Sequence, residues 1–191
     1  MNYLAHLWLT DAAGLPLAGA LLGDVVRGRL QGQWPADLEA SIRLHRHVDA
    51  TTDRHASIRL ARERFAPGAR RYAGIVLDVL CDHALAGGWP SYSTEALEAF
   101  AGRCGRDIDR HRAWFETAGL RVDGTRFTQL LQSYRTEAGV DTAIRRTAQR
   151  LSRPELLIAA AQGWQEHLPL LQTTLPTLLD DLRRSAVHFT V

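Results

Sequence analysis

Residues 75–87 read IVLDVLCDHALAG. The pattern is that of an apolar helix into which Asp78, Asp82 and His83 have been inserted. Asp78 and Asp82 are four apart, so one helix face carries both. A carboxylate in such surroundings is costly to desolvate unless it is paired or bound to a metal. The plain alternative is a buried ion pair with an arginine. The chain has 23 basic residues, all of them arginine.

Working outward, this helix is expected over 69–86, closed by Gly87-Gly88 and then Trp89-Pro90. Helical periodicity dominates the rest, and no stretch alternates apolar and polar residues as a strand would. Helices are expected at 2–10, at 16–29 behind Pro16, at 35–53, and through ASIRLARERF as far as the break at 66–68. Further helices are expected at 93–117, 125–136 and 140–151. The last begins at SRPE, where Ser152 and Glu155 have capping-box spacing. Pro169 and Pro176 are expected to kink or break it. The reading is an all-α globule, one domain over residues 1–191, with 46% hydrophobic residues to fill its core.

The net charge is only +2, but between Arg43 and Arg71 stand eight arginines against three acids, Asp49, Asp53 and Glu63. Each arginine is a planar fork suited to phosphate or carboxylate. No apolar run is long enough to span a bilayer. The start, MNYLAHLWLTDAAG, lacks a basic stretch and does not read as a signal peptide. Cys81 and Cys104 form no motif, so a reducing cytoplasm is expected. Neither nucleic acid nor membrane is expected as a partner.

Three other helices repeat the polar insertion. In LHRHVDATTDRH (44–55), His45 and Asp49 share a helical row that Asp53 continues, while His47 points away and His55 lies past the helix end. ALLGDVVRG (20–28) sets Asp24 in an apolar run with Arg27 one turn on, and YLAHLWL (3–9) sets His6 among leucines. Each has a plain structural reading: a solvated face, an intrahelical ion pair, a satisfied core histidine. Together, converging imidazoles and carboxylates without thiolate describe a site for Mn²⁺, Fe²⁺ or Mg²⁺. A metal pocket edged with arginines points to phosphoester chemistry.

MNYLAHLWL at the start, LLGDVVRG at 21–28, HRHVDATTD at 45–53 and LDVLCDH at 77–83 together resemble the acyl carrier protein phosphodiesterase family. The resemblance reaches from residue 1 to about Trp89. It implies an HD-domain-like helical fold and a divalent metal, typically manganese. The implied reaction is hydrolysis of the phosphodiester that joins 4′-phosphopantetheine to a serine of holo acyl carrier protein. The family pattern H-R-x-[IV]-D-x-x-T-D falls on His45, Arg46, Asp49, Thr52 and Asp53 and leaves His47 outside. Asp24 and Arg27 match the second motif; Asp78, Asp82 and His83 match the fourth. The adjacent His-Asp pair of the wider HD group is absent from this sequence.

The expected metal ligands are therefore His6, Asp24, His45 and Asp78. Asp49, Asp82 and His83 are expected to serve catalysis, as further ligands or as groups that orient them. Arg27 and Arg46 are expected to hold phosphate. Arg59 and Arg62, exposed on the basic segment, are expected to meet the acidic carrier protein. Two other readings are an HD-type nucleotide phosphohydrolase and a non-enzymatic helical module that binds an acidic partner.

Overall fold

The computed structural model describes residues 1–189. They form eleven α-helices and two 3₁₀ turns, with no strand among the described residues. In order these are α1 (Tyr3–Ala12), α2 (Leu17–Val25), α3 (Ala36–Arg54), α4 (Ala56–Glu63), α5 (Arg70–Gly87) and α6 (Leu97–Arg110). There follow α7 (Arg112–Thr117), α8 (Gly124–Ser133), α9 (Glu137–Ala148), α10 (Pro154–Ala160) and α11 (Leu168–Val187). The all-α expectation holds. Among the described residues no helix is long and apolar enough to cross a membrane.

Composition decides what lies inside. α1 and α5 are apolar on most sides, and Leu4, Leu7, Leu9, Val76, Leu77 and Leu80 are buried. The two helices pack on each other, α2 and α3 pack on α1, and α11 lies against both α1 and α5. α2 and α3 approach closely because α2 offers glycines at the contact. A Cβ on Gly19 would lie 2.3 Å from Ser41 Cβ, and one on Gly23 would lie 2.3 Å from His45 Cγ.

Asp82 has a role in this packing. It is fully buried on α5, and its two oxygens accept the backbone N–H groups of Leu4 at 2.7 Å and Ala5 at 3.0 Å. The first-turn N–H groups of α1 have no partner within the helix, so a carboxylate from another helix supplies one. Burial pushes the Asp82 carboxyl up to about 7, against the pull of those backbone bonds. Asp82→Ala leaves two buried donors bare and is expected to cost about 2–4 kcal/mol, lowering Tm by roughly 5–15 °C in calorimetry. The carboxyl binds its proton more tightly in the folded state. Its contribution is complete below pH 3.8 and is lost as pH rises through about 7. Wild type is thus expected to lose stability relative to Asp82→Asn across that window, and a flat difference would refute the assignment.

The helix borders differ from expectation where side chains compete with the ladder. The helix expected over 93–117 begins only at Leu97 and is two helices, α6 and α7, separated at His111. Ser93 Oγ accepts the N–H of Glu95, and Trp89 Nε1 donates to the Glu95 carbonyl, which together hold 93–96 out of the helix. α2 stops at Val25 rather than 29, because Val26 is extended and Gly28 has φ +80°. The capping box at Ser152 does not form. Pro154 takes the first helical position, so the cap falls on Arg153 and the spacing to Glu155 is lost. Pro169 opens α11, and the helix runs on through Pro176 with Leu171, Leu175, Leu178 and Leu182 buried on both sides of it.

Candidate metal centre

Three helices bring four of the expected residues to one place: His6 from α1, Asp24 from the last turn of α2, and His45 with Asp49 from the middle of α3. Asp49 is the hub. His6 Nε2 lies 2.9 Å from Asp49 Oδ1, and His45 Nε2 lies 3.2 Å from Asp49 Oδ2 and 3.4 Å from Asp24 Oδ1. The two imidazoles are stacked, centroids 3.9 Å apart and 19° from parallel. Both are 3% exposed, whereas the Asp49 side chain is 44% and the Asp24 side chain 51% exposed. The histidines thus form the floor, and the carboxylates open to solvent. Gly23 is what allows the His45 ring to lie against α2.

The electrostatics follow from that layout. Burial lowers His6 to about 4, which its bond to Asp49 only partly offsets, so its ring is neutral. Burial also opposes charge on His45, but the Asp24 and Asp49 carboxylates outweigh it and raise the ring to about 9. Asp49 is held far below the usual carboxylate range: burial raises it, and the bonds from both imidazoles prevail. The Met1 amino group adds a second cation, 3.0 Å from Asp78 Oδ1 and 3.5 Å from Asp49 Oδ1. Burial would lower it, yet those carboxylates bring it up to about 11. Burial pushes the Asp78 carboxyl upward despite the ammonium. That side chain is 41% exposed, and we take the ion pair with Met1 as its state.

This donor set fits a divalent cation. One ligand atom each from His6, His45 and Asp49 lie within 4.8 Å of one another. The carboxylates of Asp24 and Asp49 both face His45 Nε2, at 3.4 and 3.2 Å, and a metal ion would satisfy the same acceptors with more charge. Nδ1 of both His6 and His45 is buried without a hydrogen-bond partner. The pair is therefore poorly served as an ordinary polar core, where buried polar atoms find partners.

Other expected site residues lie elsewhere or are otherwise occupied. Asp78 reaches the cluster through the Met1 amino group. Asp82 caps α1. His83 turns away, its Nδ1 2.6 Å from the Tyr134 carbonyl and its ring edge-on to Trp164. Arg46 donates to the carbonyls of Val26 at 2.8 Å and Gly28 at 2.9 Å, fixing the turn after α2. Arg27, on that turn, is exposed beside His45 and Asp49 in a hollow of about 500 Å³. Arg62 is committed to Asp53 at 2.6 Å and lies over Gly74, while Arg59 is exposed. His47, as expected, stands outside, with Nε2 2.6 Å from Ser185 Oγ. Sequence reasoning missed Gly23, although a glycine inside an apolar helix is a signal of close approach. It also missed the Met1 amino group and the wall supplied by residues 120–150, neither of which has a local signature.

Residues 1–182 match the family model described as acyl carrier protein phosphodiesterase. Curated proteins bearing that same name are similar to this chain. One from Photorhabdus laumondii is 44% identical over 115 residues, which are 58% of this chain and 57% of that protein. One from Klebsiella pneumoniae is 43% identical over 109 residues, 56% of each chain. One from Escherichia coli is 44% identical over 95 residues, 50% of this chain and 49% of that protein. The chain thus spans about half the length of the curated relatives it matches. No solved structure shows a significant match. Its helical fold, its ordered motifs and a family match running from residue 1 to 182 make this chain a member of the acyl carrier protein phosphodiesterase family.

Proposed function

We propose that this protein hydrolyses holo acyl carrier protein, releasing 4′-phosphopantetheine and apo carrier protein, and that it does so with a divalent metal, Mn²⁺ first. The observation that carries the reading is the meeting of His6, His45 and Asp49, from two helices, around one point. His6, His45, Asp49 and Asp24 would hold the ion. When bound, such an ion lowers the pKa of water and neutralises charge on a phosphoryl oxygen. The chain's own residues do the rest. The stacked histidines exclude water from one side and fix the direction of the carboxylates. Arg27 binds the non-reacting phosphate oxygens, held in place by the turn that Arg46 secures. The bond between phosphorus and the serine oxygen breaks, a water oxygen takes its place, and the serine hydroxyl is regenerated.

In this reading Asp82 positions α1, His83 holds the turn after α8 at Tyr134, and neither touches the reacting atoms. The whole chain acts as one HD-like unit in the cytoplasm, where the buried thiols of Cys81 and Cys104 stay free. The test is intact-mass analysis of purified holo carrier protein after incubation with the protein and Mn²⁺. Loss of the 4′-phosphopantetheine mass supports the reading. An unchanged mass, with free nucleotides hydrolysed instead, would move the protein to the nucleotide class.

Gly23 gives a sharper check on the site. Because a Cβ there meets the His45 ring at 2.3 Å, Gly23→Ala displaces the ring or parts α2 from α3. A misplacement of about 1 Å costs on the order of a hundredfold in rate. A drop of that order in kcat is expected, with helicity by circular dichroism intact. Unchanged kcat would mean that His45 need not hold its observed position.

A further inference from the structure

Beside the metal centre lies a larger, open cleft of about 830 Å³. Asp24 lines both this cleft and the hollow at His45 and Asp49, so the two spaces adjoin at a ligand. The far wall comes from residues 120–150, which the sequence left without a task. Its apolar surface is Leu120, Val122, Phe127 and Leu130, and its charge is Arg121, Arg126, Arg146 and Arg150. All four arginines are exposed. Arg126 stands 3.9 Å from Asp123. Arg150 lies beside the Tyr3 side chain and within the field of Asp24. Among the described residues, Arg121 and Arg146 have no carboxylate within ion-pair distance.

The basic segment at 43–71 compares poorly. Arg43 is paired with Glu39 and Arg62 with Asp53, while Arg46 and Arg70 are spent on backbone carbonyls. Four of its eight arginines are thus engaged within the fold. None but Arg46 borders either hollow.

We propose that the cleft walled by residues 120–150 is the docking face for an acidic protein substrate, with Arg121 and Arg146 as its free cations. The inference rests on the carrier-protein reading above. Unpaired exposed arginines attract carboxylates over a Debye length and orient the encounter. Apolar walls with a few polar groups suit a flexible arm threading from the docked protein to the metal centre. The charge lies on the rim, where the protein surface arrives, and the apolar surface lies within.

The test is the double variant Arg121→Glu/Arg146→Glu, with Arg106→Glu as an exposed reversal outside the cleft. Binding of apo carrier protein is measured by fluorescence anisotropy across a salt series, and steady-state rates are measured with the holo form. The cleft variant is expected to raise both Kd and KM at least about tenfold, a loss of roughly 1.4 kcal/mol, to fall on KM rather than kcat, and to flatten the salt dependence. Arg106→Glu is expected to change Kd less than about twofold. An equal rise in Arg106→Glu would mean bulk charge and no docking face. A rise in Arg59→Glu/Arg62→Glu, with none in the cleft variant, would put docking on α4. An equal loss on a protein-free phosphopantetheine diester would make these arginines phosphate ligands. Each of these results overturns the proposal. Wild type that cleaves holo carrier protein while the cleft variant keeps its Kd and KM defeats the docking face alone. Wild type that does not cleave it defeats the substrate reading and this inference with it.

Discussion

His45→Ala is expected to lower kcat/KM by on the order of a thousandfold with the fold retained, and His47→Ala by less than about threefold. The two histidines are two residues apart on one helix, so the difference is purely one of direction. A two-residue step turns a side chain by about 200°. His45 faces inward, stacked on His6 with Nε2 between Asp24 and Asp49. His47 faces α11, where its loss breaks one bond to Ser185 Oγ. Removing His45 takes away one of two nitrogen donors and frees Asp49 from the bond that fixes its second oxygen. The several kcal/mol of transition-state stabilisation that an ordered metal centre supplies correspond to a loss of that order. The protein stays folded because the missing ring was a buried group with an unpartnered Nδ1. Its removal therefore leaves a cavity but no worse hydrogen-bond deficit. The measurements are steady-state kinetics on holo carrier protein and circular dichroism with thermal melts. Equal losses in the two variants would mean that the α3 face carrying Asp49 is not the working face.

The helices were legible because periodicity reports burial, and burial is what packs them. Borders were less so. The gap between α6 and α7 and the late start of α6 arise from side chains bonding to nearby backbone at Ser93, Trp89 and His111. Several such outcomes share one periodic pattern, so the pattern cannot choose among them. The site was legible for a related reason. Polar residues inside apolar helices need partners, and His6, Asp24, His45 and Asp49 turn toward one another. The same rule could not distinguish Asp82, whose partner is the α1 backbone. A buried carboxylate that caps a helix and one that binds a metal look identical along the chain. His83 escaped for a simpler reason: one residue beyond Asp82, it lies on another face of α5. The cleft had no sequence signature, because its two sides come from segments far apart in the chain, residues 1–25 and 75–79 against 120–150, and only packing joins them.

Chelation is expected to remove activity to below about one per cent, and Mn²⁺ to restore it. Asp49→Asn is expected to reproduce the loss with no rescue by added metal. The argument begins with what the cluster lacks as an all-protein arrangement. Two imbedded imbalances remain: two imidazoles in van der Waals contact cannot both be cationic at modest cost, and their Nδ1 atoms are buried without partners. His6 is neutral, with burial holding it at about 4, so a cation at this site meets no imidazolium charge on α1. Asp49 remains ionised, its two oxygens turned to two different histidines, and Asp24 stands beside it with half its side chain open. Carboxylates and imidazoles gathered at one point are the donor types that hold Mn²⁺, Fe²⁺ or Mg²⁺. Asp49→Asn removes the central charge while keeping its shape, so it separates ligation from packing. Elemental analysis reads the outcome apart from catalysis: stoichiometric divalent metal in wild type, and a fall of at least about tenfold in occupancy for Asp49→Asn. A helical module that merely binds an acidic partner would purify without stoichiometric metal. Full turnover in excess chelator, with no metal detected, would leave the two histidines and Asp49 as a structural polar cluster and remove the metal from the reaction.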